Sequence, residues 1–142
     1  NLGVDDSGEP VQLPAAQINL LISGGTGSGK SYLTGLIAEQ LIGLGYSLLV
    51  IDPEGDHVGL GELPGVLVVG GDRYLPPASA VVPLLHHRYA TLILDLSHLD
   101  SAQQLRYLAG VPAEIAAHRD RNAGRRSFVG HGCQASTASR PR

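Results

Sequence analysis

The stretch GGTGSGKS, residues 24–31, decides the fold of this chain. It fits the phosphate-binding (Walker A) pattern G-x-x-x-x-G-K-[ST] at Gly24, Gly29, Lys30 and Ser31. Glycines let backbone N–H groups surround phosphate oxygens, because no Cβ blocks the approach and unusual backbone angles are allowed. Lys30 is the only lysine among the ten Lys and Arg residues. Its compact charge can reach the β- and γ-phosphates in a loop too tight for a guanidinium, and Ser31 offers a hydroxyl to Mg²⁺.

The residues on both sides of the loop supply the context that the pattern requires. INLLIS (18–23) is an apolar run that predicts a strand ending at the loop, and leucines at helical spacing predict a helix over 30–44. A flexible Gly/Ser turn is the alternative, but roughly 0.002 matches to the pattern are expected by chance in a chain of this composition. We therefore predict a site for ATP and Mg²⁺ whose nucleotide contacts are Gly25, Thr26, Gly27, Ser28, Gly29, Lys30, Ser31 and Tyr32.

Length, charge and composition bound the class of protein. The chain has 142 residues, which is one domain at most, and its net charge of −3 gives no electrostatic reason to expect nucleic-acid binding by this chain alone. No apolar run approaches the ~20 residues of a membrane span. The single Cys133 excludes an internal disulfide framework and favours a reducing compartment, so we expect a cytoplasmic protein.

Strands and helices alternate along the chain. Further strands are predicted at 47–51, 66–69 and 91–96, and further helices at 78–88 and 101–121. This order predicts an α/β fold of the P-loop NTPase type, with a mostly parallel sheet and flanking helices. We expect a linker or loop tail at 1–10, a partial nucleotide-binding domain at 11–129 and an irregular C-terminal tail at 130–142. Because the chain has no Met at all, we also expect it to be part of a longer protein.

Acidic residues follow two of the predicted strands. IDPEGDH places Asp52, Glu54 and Asp56 after the second strand, where one of them could hold Mg²⁺ or a bound water, or where all three could form a solvated loop. LILD ends at Asp95, which resembles the second nucleotide-binding motif, although the next residue is Leu96 and not a Glu. We predict Asp52 and Asp95 as candidate metal ligands beside Ser31, and Lys30, Glu54 and Asp95 as candidate catalytic residues.

Histidines and arginines give weaker signals. Five of the six histidines lack metal-ligand spacing, so we predict that they lie on the surface; they are His57, His86, His87, His98 and His118. An arginine cluster near the end of the long helix favours a solvated helix end over a phosphate patch; it comprises Arg119, Arg121, Arg125 and Arg126.

The segment GGTGSGKSYLTGLIAEQL followed by LLVIDPEGDH resembles the HerA/FtsK-like branch of P-loop ATPases, in particular the HerA-type central ATPase domain. The resemblance covers about residues 18–129. It implies an ATP-hydrolysing domain that uses Mg²⁺ and forms a homo-oligomeric ring, through which the intact protein moves a polymer, usually DNA.

The chain departs from that family after the long helix. Family members there have a strand of four apolar residues followed by Asp-Glu, whereas this chain reads RRSFVGHGCQAS. We therefore expect an N-terminal portion of such a domain that binds ATP but hydrolyses it little by itself. Two alternatives stay open: a small P-loop kinase that phosphorylates a metabolite, and a nucleotide-binding module without activity.

Overall fold

A computed structural model describes residues 2–14, 19–85, 91–121, 127–131 and 134–137, with the backbone only from residue 112 onward. The strands are β1 (Gly3–Val4), β2 (Pro10–Val11), β3 (Asn19–Leu21), β4 (Ser47–Asp52), β5 (Val66–Gly70), β6 (Thr91–Asp95), β7 (Ser127–His131) and β8 (Gln134–Thr137). The helices are α1 (Lys30–Gly43), α2 (Ala78–Leu85) and α3 (Ser101–Arg121), with a short 3₁₀ helix at Val58–Glu62.

The described strands form one six-stranded sheet and one small hairpin. The order in the large sheet is β3-β8-β7-β4-β6-β5, and β1 pairs only with β2. The four strands from β7 to β5 run parallel to one another, while β8 is antiparallel to both of its neighbours. The predicted α/β fold with a mostly parallel sheet is confirmed.

The core lies on both faces of the parallel strands. Successive strand residues point to opposite faces, so continuous apolar runs need a helix on each side. On one face α1 covers β4 and β6, through Ala38, Leu41, Leu48, Val50 and Ile93. On the other face α2 and α3 cover the same strands, through Leu49, Ile51, Val81, Val82, Leu92, Leu94 and Val111. The sheet therefore fixes where the carboxyl ends of β4 and β6 lie relative to α1.

Both ends of the described chain contain strands where the sequence indicated none. β8 lies within 130–142, and β1 with the start of β2 lies within 1–10. Backbone pairing explains the first difference, because β3 and β7 each present unpaired N–H and C=O groups that β8 satisfies without needing apolar side chains. In the β1–β2 connection, the Asp5 carboxylate accepts hydrogen bonds from Ser7 and from the Glu9 N–H, which closes a local turn.

Helix α3 starts as predicted and packs on the core through Leu108 and Val111. Asp100 accepts a hydrogen bond from the Gln103 N–H at 2.8 Å, and the Gln103 side chain accepts one from the Asp100 N–H at 2.9 Å. This reciprocal pair caps the helix. Leu105 does not join the buried face of this helix, since 72% of it is exposed. Gln104 takes the inward position instead, because its amide reaches three backbone carbonyls.

Candidate functional site

The loop between β3 and α1 needs glycine at two positions for its backbone angles. Gly27 has φ 79° and Gly29 has φ 86°, a left-handed region that other residues adopt at a cost. The Ser28 N–H donates to the Gly25 carbonyl at 3.2 Å, which closes a turn within the loop. The glycines at these positions therefore let the chain curl before the helix begins.

A third glycine is required for close approach. A Cβ built on Gly24 would lie 2.5 Å from the Ser28 Oγ and 3.3 Å from its Cβ, so a larger residue would force the Ser28 side chain to move. Gly25 faces open space, with no heavy atom within 4 Å of its Cβ position. Gly24 therefore packs against Ser28 within the loop, whereas Gly25 borders open space.

The N-terminus of α1 offers donors to an anion. Gly29 occupies the cap position, no side chain in the described part of the chain caps the helix, and its first turn contains no acidic residue. The first helical hydrogen bond runs from the Leu33 N–H to the Gly29 carbonyl at 2.9 Å, so the N–H groups before Leu33 have no carbonyl partner within the helix. The partial positive charge of this end favours phosphate.

The Lys30 side chain spans the loop. Its Nζ donates to the Gly25 carbonyl at 2.8 Å. The ammonium group therefore contacts the backbone of the glycine loop, at a position where it could also bind an anion held by the loop. Backbone donors, a helix end and one cation converge here, and this donor set fits a triphosphate with Mg²⁺ on Ser31.

A pocket of about 440 Å³ lies beside the loop, along the first turns of α1. Its walls include Ser31, Tyr32, Glu39, Asp56, His57 and Leu60. One wall is α1 and the other is the segment that follows β4. The structure thus brings Asp56 and His57 next to Ser31, whereas Asp52, Glu54 and Asp95 line no part of this pocket.

Asp52 has a structural role in the fold. Only 2% of it is exposed, and its carboxylate accepts backbone hydrogen bonds from Gly55 at 3.0 Å, Asp56 at 3.1 Å and His57 at 2.8 Å. Gly55 has φ 80°, which lets the chain turn back over the carboxylate. Both carboxylate oxygens therefore already bind the protein backbone. This geometry favours a role in loop folding over the metal ligation that the sequence led us to expect.

Asp95 ends β6 directly beside the end of β4, in register with Asp52. It is 7% exposed, and its Oδ1 accepts the Ser97 N–H at 3.0 Å. A Cβ on Gly71 would collide with the Asp95 carboxylate, so the backbone after β5 packs closely on this side chain. A Cβ on Gly55 would lie 3.6 Å from the Asp95 Oδ1, so this carboxylate borders the segment that follows β4, although it lines no part of the pocket beside Ser31.

The histidines divide between surface and interior. His98 is on the surface as predicted and lies 3.6 Å from Asp72. The prediction is wrong for His57, which is only 6% exposed. The side chains of His86, His87 and His118, and those of the arginine cluster, fall outside the described part of the structure. Sequence reasoning missed His57 because its burial involves α1, a distant part of the chain that the imidazole faces at Gly35.

Two further observations limit the kind of site. In the described residues, no three His, Cys, Asp or Glu side chains are grouped so that they could hold a metal ion. None of the helices in the described ranges combines the length and apolar character needed to cross a membrane.

The comparisons with known proteins agree with this geometry. Residues 4–128 match the family described as Helicase HerA, central domain. A search of curated proteins and a search of solved structures found no match. The match covers most of the 142 residues, including the phosphate-binding loop and the strands from β2 to β6. The chain therefore belongs to the HerA helicase central domain family and is a P-loop ATPase-like domain.

Proposed function

We propose that this chain binds ATP with Mg²⁺ at the loop 24–31. The observation that carries the proposal is the convergence of three donor types on one concave backbone. These are the curled glycine segment around Gly27 and Gly29, the uncapped N-terminus of α1, and the Lys30 ammonium 2.8 Å from the Gly25 carbonyl. Together they match the density of negative oxygens on a triphosphate.

Each residue of the loop has a distinct role in this proposal. Lys30 exchanges its hydrogen bond with the Gly25 carbonyl for bonds to the β- and γ-phosphates. The N–H groups of the first turn of α1, up to Tyr32, donate to phosphate oxygens. Ser31 provides a hydroxyl ligand for Mg²⁺, which neutralises part of the phosphate charge when bound.

We expect this chain to hydrolyse ATP little by itself. Hydrolysis needs a positioned water and stabilisation of the charge on the transferred group. Glu54 and Asp95 lie outside the pocket beside Ser31, and residues 130–142 contain no Asp or Glu that could form the Asp-Glu pair of the resembled family. The proposals of an oligomeric ring and of a DNA substrate are based on the family membership alone. The net charge of −3 does not favour binding to DNA.

Calorimetry tests nucleotide binding at the loop. Lys30→Ala should weaken MgATP binding roughly 100-fold, because the variant loses charge-assisted hydrogen bonds of about 1.5–3 kcal/mol each. Lys30→Arg should also bind weakly, since the planar guanidinium does not fit the curled loop. Arg106→Ala, which removes an exposed positive charge on α3, is the matched control and should bind as the wild type does.

Phosphate release, with and without duplex DNA, tests the expectation on hydrolysis. Wild type and Lys30→Ala should release phosphate at the same low rate. Equal MgATP affinity of these two proteins would refute the binding site, whereas robust Lys30-dependent turnover would refute only the expectation of weak hydrolysis.

A further inference from the structure

The pocket beside Ser31 contains a buried polar side chain that the binding of phosphate does not use. His57 is 6% exposed and lines this pocket. In the described ranges of the chain, its imidazole makes no hydrogen bond, although its backbone N–H is held by Asp52. A neutral imidazole offers one donor and one acceptor, and no buried side-chain nitrogen or oxygen in the described residues lacks a partner, so the His57 ring nitrogens reach the solvent of the pocket. His57 is therefore a group that a bound ligand or its water can satisfy.

The position of His57 relative to Ser31 follows from the helix. A Cβ on Gly35 would lie 3.6 Å from the His57 Nδ1, so the imidazole faces α1 at Gly35. Gly35 comes four residues after Ser31, which is about 6 Å along the helix axis at ~1.5 Å per residue. His57 thus packs against α1 one helical turn after Ser31, on the pocket that Ser31 also lines.

That separation suits contact through water. Mg²⁺ binds its ligands at about 2.0–2.1 Å and usually keeps several waters. A path from the Ser31 Oγ through the ion to one of its waters, and on to a hydrogen-bond partner at about 2.8 Å, spans roughly 7 Å. Asp56 reaches the same pocket and is exposed, so its carboxylate can also accept hydrogen bonds from such waters.

The segment that carries both residues is fixed at each end. Asp52 holds the N–H groups of residues 55–57 at 2.8–3.1 Å. Gln104 on α3 donates through its Nε2 to the Pro53 carbonyl at 3.1 Å, and also to the carbonyls of Leu96 and Leu99. The Leu96 N–H donates to the Asp52 carbonyl at 2.9 Å. The wall that faces Ser31 is therefore preorganised by the end of β6 and by α3.

We propose that Asp56 and His57 bind the water shell of the Mg²⁺ ion held by Ser31, and that Asp52 and Gln104 are positioning residues for them. This proposal rests on the proposed binding of MgATP at the loop. It gives the imidazole, whose ring nitrogens reach the pocket, a hydrogen-bond partner in the water around the ion. It also replaces Asp52, Glu54 and Asp95 by Asp56 and His57 as the side chains that act on the metal.

Calorimetric titrations with ATP, in excess Mg²⁺ and in excess chelator, test the proposal. Asp56→Asn and His57→Phe should each weaken MgATP binding about 10-fold, which is the usual effect of losing an outer-sphere contact. Neither variant should change the affinity for metal-free ATP, because the phosphate contacts of the loop stay intact. Asp72→Asn and His98→Ala are controls that remove the same groups from an exposed site, and both should bind as the wild type does.

The positioning role is tested in the same titrations with Gln104→Ala. This variant should weaken binding of MgATP about as much as His57→Phe does, with metal-free ATP unaffected, at a temperature well below its unfolding midpoint. Lys30→Ala must lose affinity under both conditions. If Lys30→Ala loses affinity while Asp56→Asn and His57→Phe bind MgATP normally, this proposal fails and the phosphate site stands. A loss that is equal with and without Mg²⁺ in His57→Phe also overturns it.

Discussion

Substitution of Asp52 tests whether the acidic residue at the end of β4 stabilises the folded protein or binds a metal ion. Replacing it by Asn keeps the shape of the side chain but turns one oxygen into an NH₂ group. If the amide oxygen stays with the N–H groups of Gly55 and Asp56, the new NH₂ group faces the His57 N–H, which now bonds Oδ2 at 2.8 Å. Two donors then face each other in a site that is only 2% exposed.

The expected cost follows from the lost hydrogen bond. A hydrogen bond to a charged group contributes about 1.5–3 kcal/mol, and the buried N–H left behind adds to the loss, so we expect the free energy of unfolding to fall by about 2–3 kcal/mol. Asp52→Ala loses all three acceptor contacts and should cost about 4 kcal/mol or more.

Urea denaturation without Mg²⁺ or nucleotide measures this cost. With a slope of roughly 1–3 kcal/mol per M, a loss of 2 kcal/mol lowers the midpoint by about 1 M. Asp56→Asn is the matched control: it makes the same chemical change four residues along the same loop, at an exposed side chain, and should change stability by less than about 0.5 kcal/mol. A wild-type midpoint for Asp52→Asn would refute the structural role and restore Asp52 as a metal ligand.

Two other predictions concern stability alone. Burial raises the pKa of Tyr107 to about 12 from the ordinary value of 10.0, so the native state favours the neutral phenol. This stabilisation is complete below pH 10 and is lost as the pH rises toward 12. Urea midpoints should therefore fall less steeply with pH for Tyr107→Phe than for the wild type. Equal slopes for the two proteins would show that Tyr107 does not cause the loss. Gly70→Ala should lower the free energy of unfolding by roughly 3 kcal/mol or more, because φ is +85° and the Cβ would collide with the Asp95 carbonyl oxygen. Gly8→Ala, at φ +84° in open space, should cost only about 1–2 kcal/mol by the same measurement, and equal losses would show that the collision adds nothing.

The sequence predicted those features that depend on residues close together in the chain. The phosphate-binding loop is specified by eight consecutive residues, 24–31, and the buried strands by continuous apolar runs such as 47–51. The start of α3 was predictable for the same reason, because Asp100 and Gln103 cap it within one turn.

The remaining features depend on contacts between distant residues. Asp52 binds backbone N–H groups, which every non-proline residue has, so an acid at a strand end looks the same in the sequence whether it binds metal or its own loop. The glycine at position 55, three residues on, is a local sequence signal for a structural role of Asp52, because the turn back over the carboxylate has φ 80° there. The burial of His57 involves α1, which the imidazole faces at Gly35, 22 positions earlier in the chain. The inward turn of Gln104 in place of Leu105 depends on the carbonyls of Pro53 and Leu96, which follow β4 and β6.

The position of β3 at the edge of the sheet gives the phosphate-binding loop two attachments of unequal strength. On one side, α1 anchors the loop to the core through Ala38 and Leu41. On the other, in the described part of the sheet, β3 pairs only with β8, over three residue pairs from Asn19 to Leu21. Strands with few partners open at low free energy, so local unfolding can release the front of the loop while α1 stays packed. A nucleotide that holds both ends of the loop together would oppose this opening, and amide hydrogens of β3 and β8 would then exchange more slowly as one cooperative unit.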